Sequence, residues 1–439
     1  MANTYLTKTL ATPTNRKKWT LSMWVKRSNI SSASTSYLLS ANSSQAYIYF
    51  NNNDTFNIEE YSGGYQYRLA TNRVFRDTSA WYHLVISFDS TNATADDRVR
   101  IYINGVQETL FSARTNPSLN FDGAINNNNA HFIGREGASY WSGLISHIHF
   151  IDGTAYDASA FGSTDSVTGE WQINTSPSVT YGNNGFFILK DGNSVTDQSG
   201  NSNNFTVAGG TLTNTEDNPS NVFATINPLI GSNLMGSTVI FGNGNTNVQD
   251  PSGSASGVNP YFISTLGMPS KGKFYCELKP NSFSTSSGHG IGIFRTSSGN
   301  TADVTSSSNQ IRYIYADTSL YISKYGTNIE TLAAINSGDI VGMALDLDNG
   351  TLQYYVNGVA RGNQITGVSS ANDGYDYFFF ANLESSSSGR YGRYYWNFGN
   401  GYFATTAVSS AGTNASGNGI FEYDCPAGYT ALSTKGLNL

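Results

Sequence analysis

Two stretches of the chain alternate apolar and polar positions as a half-buried strand does. In Trp81–Val106 (WYHLVISFDSTNATADDRVRIYINGV), Leu84, Ile86 and Phe88 share one face, and Val99, Ile101 and Ile103 share one face of the return. In Gly338–Val359 (GDIVGMALDLDNGTLQYYVNGV) the same roles fall to Val341, Met343, Leu345 and Leu347, then to Leu352, Tyr354 and Val356. A strand can bury a period of two on one side and a helix cannot. Each stretch therefore predicts a strand, a turn opened by aspartate, a second strand and an Asn-Gly hairpin. Asn104-Gly105 and Asn357-Gly358 supply the residues that accept the positive φ of a type I′ turn. The loop Ser90–Asp97 in the first copy is longer than Asp348-Asn349-Gly350 in the second. A meander written twice predicts two sandwiches of one kind.

The surrounding sequence supplies further strands. Trp19–Lys26 places Trp19, Leu21, Met23 and Val25 on a heavy apolar face, and Tyr37–Ser40, Tyr47–Phe50, Tyr65–Ala70, Ala130–Gly134 and Trp141–Phe150 follow at strand spacing. Short strands joined by polar turns, without a helical period, predict antiparallel sandwiches. The fold class expected is all-β, with two antiparallel β-sandwiches. A length of 439 residues is too great for one ordinary core and fits two domains. The expected boundaries are 1–208 and 263–439. Between them, 209–262 reads as an ordered connector, rich in Gly, Ser, Asn and Pro but carrying its own short apolar runs.

Composition narrows the partners. Charged residues make up only 13% of the chain, against a usual ~25%. The polar surface must come from Asn, Ser, Thr and Gly, and the 28 tyrosines argue for packed rather than disordered chain. A net charge of −7 with no basic stripe argues against nucleic acid. No apolar run reaches the ~20 residues of a membrane span, so no membrane insertion is expected. The opening MANTYLTKTLATP lacks an apolar core of the secretory kind, which gives the expectation of synthesis in a cytoplasm without standard export. Cys276 and Cys425 are expected as free buried thiols.

Three segments of 19–152 carry a family resemblance: WTLSMWVKRS, then WYHLVISFD…VRIYINGV, then FIGRE…YWSGLISHIHFIDG. Together they resemble the laminin-G/concanavalin A-like superfamily as found in bacteriophage virion proteins. Phe186–Ala208 (FFILKDGNSVTDQSGNSNNFTVA) resembles a strand that often opens such domains. Here it follows the domain, and the expectation is that it completes the first sandwich in permuted order. Residues 271–403 resemble a SPRY domain through KGKFYCELK, GHGIGIF, GDIVGMALDLDNGTLQYYVNGV and YYWNFGNGYF. That resemblance implies a bent antiparallel sandwich that binds proteins. The tail YDCPAGYTALSTKGLNL reads as an extension packed on it.

Candidate chemistry is sparse. A glycosidase needs two carboxylates facing one groove, roughly 5–10 Å apart. The concanavalin-like signature Glu-x-Asp-x-x-Glu begins at Glu422-Tyr423-Asp424, but Ala427 stands where its last Glu belongs. Glu59 and Glu60 are neighbours that a strand would point to opposite faces. His147 and His149 form an H-x-H pair with no recognisable third ligand. Asp89, Asp96 and Asp97 cluster at one loop, and laminin-G-like domains often bind calcium at loop oxygens. Calcium takes about six to eight such ligands, yet aspartates also close turns without metal. No cofactor is expected, with Ca2+ at Asp89, Asp96 and Asp97 as the candidate. For ligand binding, the aromatic run Tyr391–Phe403 and the segment Gly374–Phe380 offer Arg390, Tyr391, Arg393, Tyr395, Tyr375 and Tyr377, whose rings and guanidinium groups suit sugars.

These readings predict a non-enzymatic structural or adhesion protein of a phage virion, a fibre, knob or decoration on tail or capsid. Its expected partners are other virion proteins and a host-surface glycan or protein. A homo-oligomer is expected, a trimer among the options, with avidity from many copies. A cellular or extracellular lectin-like module and a polysaccharide depolymerase are the alternatives.

Overall fold

The structure is a computed structural model that describes residues 3–30, 35–41, 45–190, 194–229, 239–250, 260–283, 289–297, 304–316, 320–369, 373–383, 392–409 and 417–438. The chain is nearly all β and divides into two compact units, Met1–Asn214 and Thr215–Leu439. Each is an antiparallel sandwich of two large sheets.

In the first unit, one sheet has eight strands. From edge to edge they are Phe111–Thr115, Tyr65–Val74, Thr55–Tyr61, Ala46–Phe50, Ser36–Ala41, Ala130–Ile133, Tyr5–Thr9 and Thr206–Ala208. The facing sheet runs Phe186–Ile188, Gly143–Asp152, Lys18–Arg27, Tyr82–Asp89, Val99–Ile103 and Val106–Gln107. The positions that alternate in the sequence, Leu84, Ile86, Phe88, Val99, Ile101 and Ile103, all enter the core between them. Trp19 stacks on Phe88 there at 4.9 Å. The segment after Phe186 does complete this sandwich, since Phe186–Ile188 pairs with Gly143–Asp152 and Thr206–Ala208 with Tyr5–Thr9. Asp197 knots it in place, accepting the N–H groups of Phe187, Ser199 and Asn203.

In the second unit, one sheet runs Ile240–Gly242, Asn247–Asp250, Gly392–Asn397, Lys273–Phe283, Val341–Asp346, Thr351–Val356 and Val359–Thr366. The other runs Tyr261–Ile263, Asp376–Asn382, His289–Thr296, Gln310–Ala316, Tyr321–Lys324 and Thr327–Thr331. Residues expected as a connector thus supply three strands of this unit. Their turn-rich composition hid short edge and near-edge strands that only distant partners stabilise.

The two meanders occupy the same place in the same six-strand order. Phe186–Ile188, Gly143–Asp152, Lys18–Arg27, Tyr82–Asp89, Val99–Ile103 and Val106–Gln107 correspond to Asn247–Asp250, Gly392–Asn397, Lys273–Phe283, Val341–Asp346, Thr351–Val356 and Val359–Thr366. Corresponding bonds recur as well. Lys18 pairs with Asp89 at 3.0 Å, and Lys273 with Asp346 at 3.0 Å. The Asn104 side chain accepts the His83 N–H at 2.7 Å, and Asn357 accepts that of Ile340 at 2.9 Å. Both Asn-Gly pairs have positive φ, at 48° and 81° for Asn104-Gly105 and at 50° and 78° for Asn357-Gly358. One difference is the source of the outer strand, which follows the meander in the first unit and precedes it in the second.

Each of these sheets carries a cover on its outer face. In the first unit, Tyr156, Phe161, Trp171 and Tyr181 pack over Val85, Tyr102 and Ile151. Trp171 Nε1 donates to His83 Nδ1 at 2.9 Å, and the other His83 nitrogen meets Ser22 Oγ at 2.9 Å. In the second unit, the C-terminal segment brings Phe421, Cys425 and Ala431 onto Tyr275 and Ala344. Glu277 fixes that cover by accepting the N–H groups of Glu422 and Tyr423, both at 2.9 Å. An aromatic ring lies on each turn glycine. A Cβ on Gly105 would sit 2.3 Å from the Trp171 ring, and one on Gly358 would sit 2.6 Å from the Tyr423 ring. Both cysteines are free and buried, Cys276 in the main core and Cys425 under the cover.

Two predictions follow from the turns and covers. Gly105→Ala should lower the stability of the first unit, and Gly358→Ala that of the second, by about 1–3 kcal/mol from the left-handed backbone alone. Hydrogen-exchange mass spectrometry, which reads each unit separately, should show loss of protection confined to the substituted unit. The second prediction concerns pH. Burial pushes Glu277 up to about 7, against its hydrogen bonds from Glu422, Tyr423, Asn397 and Tyr275. Its stabilising contribution is complete below the unfolded carboxylate range and is lost as pH rises through 7. Burial pushes His83 down to about 3 and His131 to about 4. Their contribution is complete above the ordinary histidine value and is lost as pH falls toward 4. Burial raises Glu60 and offsets part of this in the first unit. Between pH 8 and pH 5 the second unit should gain protection while the first loses it, and Glu277→Gln should flatten the response of the second.

Candidate functional site

Strand alternation that fills a core also fixes what faces away from it. On the eight-stranded sheet of the first unit, Leu6, Ile48, Phe50, Phe56, Ile58 and Leu69 point inward. One outward row crosses six strands through directly paired residues: Thr7, Phe132, Ser40, Tyr47, Glu59 and Arg68. A second row pairs Tyr37 with Tyr49. Tyr37 lies 5.7 Å from Tyr47 and 5.3 Å from Tyr49, ring centre to ring centre. The hairpin Arg135–Tyr140 stands at one side, with the Arg135 guanidinium 4.5 Å over the Tyr5 ring and Tyr140 6.2 Å from it. At the other side Tyr61 and Tyr65 meet edge-on at 5.3 Å, both close to half exposed.

The result is a floor of phenol rings, Tyr37 and Tyr47 half-buried and Tyr49 buried beside them, around one ion pair, Glu59 to Arg68 at 3.4 Å. Arg68 also lies 4.8 Å over the Tyr65 ring. Burial, then Tyr47 and the carboxylates of Glu136 and Glu59, pushes the Tyr37 phenol up to about 12, so it stays a neutral donor. Aromatic faces with hydroxyl tips and a carboxylate–guanidinium pair present stacking surface and hydrogen-bonding groups together. Nothing in the dense aromatic runs of the sequence points to this face. Its signal is dispersed: Tyr37, Tyr47 and Tyr49 alternate with aliphatic residues on two short strands, and strand pairing brings Phe132 and Arg68 alongside.

The residues singled out from the sequence scatter. Arg390 and Tyr391 lie outside the described residues. Arg393 and Tyr395 are half-buried on the outward side of their strand, while Tyr394 and Trp396 enter the core. Arg393 donates to Gln249, and Tyr395 pairs across the sheet with Asn247 and Lys279. Tyr375 and Tyr377 lie just before and in the strand Asp376–Asn382 of the other sheet, so the four described residues do not form one site. Tyr377 is fully buried, its hydroxyl donating to Asp373 at 2.5 Å and Val368 O at 3.3 Å, and it presents nothing to a ligand. Strand alternation is the reason, since Tyr377 and Phe379 take the inward positions.

The three aspartates of the acidic loop each have their own partner. Asp89 holds Lys18 and accepts from Thr91. Burial opposes its ionisation, but the Thr91 and Lys18 bonds win and hold its carboxyl below the usual range. Asp96 meets Arg114 at 3.3 Å and Asn116 at 2.6 Å, and Asp97 meets Arg100 at 3.1 Å. Among the described residues no group of three or more His, Cys, Asp or Glu is placed to hold a metal ion. His147 sits at a bulge with φ of 48°, its ring on Ser146 Oγ, while His149 stacks on Phe187 at 3.9 Å and meets the Tyr181 hydroxyl. Glu59 and Glu60 do point apart: Glu60 is buried and accepts the Ala124 N–H. Glu422 is taken up by Ser409.

No curated protein matches the chain. Among solved structures, the SPRY domain of human HERC1 is 17% identical, with 36% of this chain and 91% of that chain covered at a TM-score of 0.29. Domain 4 of AbnA, an extracellular arabinanase from Geobacillus stearothermophilus solved with arabinotriose, is 23% identical, covering 34% and 65% at 0.25. A heptameric SAP-like pentraxin from Limulus polyphemus is 15% identical, covering 44% and 92% at 0.29. Residues 2–159 match the Laminin_G_3 model, described as the concanavalin A-like lectin/glucanases superfamily.

Proposed function

We propose that this chain is a binding protein that takes up a carbohydrate on the outward face of the eight-stranded sheet of its first unit. The observation that carries the reading is the cross-strand row Phe132, Ser40, Tyr47, Glu59 and Arg68, with Tyr37 beside it. A pyranose ring stacks on phenol faces through its C–H side and spends its hydroxyls on the Glu59–Arg68 pair. The match of residues 2–159 to a superfamily of lectins and glucanases supports the substrate class.

The reading is non-enzymatic. Glu59 is engaged by Arg68, and a hydrolase would need it free beside a second carboxylate across the bound sugar. It requires no cofactor, and the acidic loop serves ion pairs in place of Ca2+. In its full form the proposal is the one the sequence motivates: an adhesion or structural component of a phage virion, on tail or capsid, contacting other virion proteins and a host-surface glycan. Copies assembled as a homo-oligomer would gain avidity.

The full chain should bind a subset of polysaccharides on a glycan array, and Tyr47→Ala or Arg68→Ala should weaken that binding roughly tenfold or more. No reducing ends should appear on prolonged incubation with a bound polysaccharide. Binding that ignores both substitutions would overturn the site, and released sugar would overturn the non-enzymatic reading. Immunogold labelling of purified virions should decorate an appendage, and unlabelled particles would remove the virion assignment.

A further inference from the structure

Six arginines of the first unit meet carboxylates. Arg27 and Arg76 hold Asp54, Arg68 holds Glu59, Arg73 holds Glu108, Arg100 holds Asp97 and Arg114 holds Asp96. Arg295 in the second unit has rings where those six have carboxylates. It lies near the end of the strand His289–Thr296, opposite Tyr377. Its Cζ is 3.7 Å from the centre of the Tyr325 ring and 4.4 Å from that of Tyr375. Its Nε is buried and has no hydrogen-bond partner, and no carboxylate pairs with it among the described residues.

The surroundings explain what such an arginine lacks. Two rings crowd the guanidinium, which leaves the plane of its N–H groups as the direction for a ligand's contact. That edge matches a planar carboxylate in bidentate contact. The nearby Asp373 does not supply one, because its oxygens accept the Tyr377 hydroxyl at 2.5 Å and the Tyr375 N–H at 3.0 Å. The Tyr325 hydroxyl donates to Val368 O at 2.6 Å and offers its own oxygen to the Arg295 guanidinium. Lys324 adds a second cation at the rim, held by Thr366 O at 2.6 Å. Arg295 and Lys324 stand against Asp373 and Asp376, the latter paired across the strand with Thr296. With no positive excess, the rim suits a monoanion better than a dianion such as a phosphate monoester.

We propose that this rim is a receptor for a single carboxylate, clamped edge-on by Arg295 between Tyr325 and Tyr375, and that its occupant is a uronic acid residue of a polysaccharide. The carboxylate is argued from the rim alone. The choice of a sugar as its carrier rests on the carbohydrate reading of the first unit.

The test is calorimetric titration of the full chain with trigalacturonate and with the same trisaccharide reduced at its carboxyl groups. Trigalacturonate should bind, and the reduced form should bind at least roughly tenfold more weakly. Arg295→Lys keeps the charge but loses the fork, and should weaken trigalacturonate by roughly tenfold. Tyr375→Ala removes one side of the clamp and should weaken it as well, while circular dichroism verifies the fold of both variants. Tyr47→Ala, on the first unit, separates the two sites: array binding lost with trigalacturonate affinity kept would leave trigalacturonate to Arg295, and trigalacturonate affinity lost in Tyr47→Ala would place it on the first unit and overturn the proposal. No detectable binding of trigalacturonate, equal binding of the reduced form, or full affinity in Arg295→Lys would overturn the proposal. Binding of a triglutamate peptide that depends on Arg295, with none of trigalacturonate, would overturn the sugar and leave an acidic protein as the partner.

Discussion

An asparagine side chain that accepts the first N–H of its own meander is the constraint on which both units are built. Asn104 does this for His83 and Asn357 for Ile340. The bond closes a ribbon whose far end is closed by a lysine–aspartate pair, Lys18 with Asp89 and Lys273 with Asp346. With both ends fixed, the register of the intervening strands is fixed too, and a one-residue slip would turn every core side chain outward. The glycine after each asparagine then has a second duty. It must be bare, because an aromatic ring of the cover, Trp171 or Tyr423, rests on it. Turn and cover are thus one device in each unit.

That device decides which surfaces remain available. Covers occupy the outer face of the meander sheet in each unit. On the second unit's other sheet, Val304 packs over the outward side chains Ile263, Phe294 and Phe380. The eight-stranded sheet of the first unit is different, since its outward row is tyrosine, phenylalanine, one carboxylate and one guanidinium, all half-buried rather than sealed. Buried aromatic surface is ordinary core. Half-buried aromatic surface with hydroxyl tips on a rigid sheet is what a sugar needs, because the rings cost little further ordering when a ligand arrives.

Much of this fold was legible in the sequence, and the reasons it was or was not are local. The two meanders could be read because their strands alternate without interruption and end in Asn-Gly. The strand Thr55–Tyr61 was missed because Glu60 stands in an inward position. Such a residue breaks the pattern, and only the folded chain shows the Ala124 N–H that satisfies it. The cover around Trp171 was missed because it is made of turns and two short strands whose partner is a sheet surface rather than a neighbouring strand. The candidate sites fared differently again. Aromatic density along the chain led to Tyr375, Tyr377, Arg393 and Tyr395, which alternate between core and surface. The aromatic density of the outward face lies across strands, and it depends on pairings between residues as distant as Ser40 and Phe132.

Covers seal the meander sheets while the tyrosine face of the first unit stays open. Hydroxyl-radical footprinting of the intact chain, read residue by residue, measures that difference. Tyr37, Tyr47, Tyr61, Tyr65 and Phe132 should oxidise, with Trp24, Phe161, Tyr275 and Phe421 protected. Labelling of Trp24 and Tyr275 at the level of Tyr61, or protection of Tyr47 and Phe132 in the free chain, would contradict it.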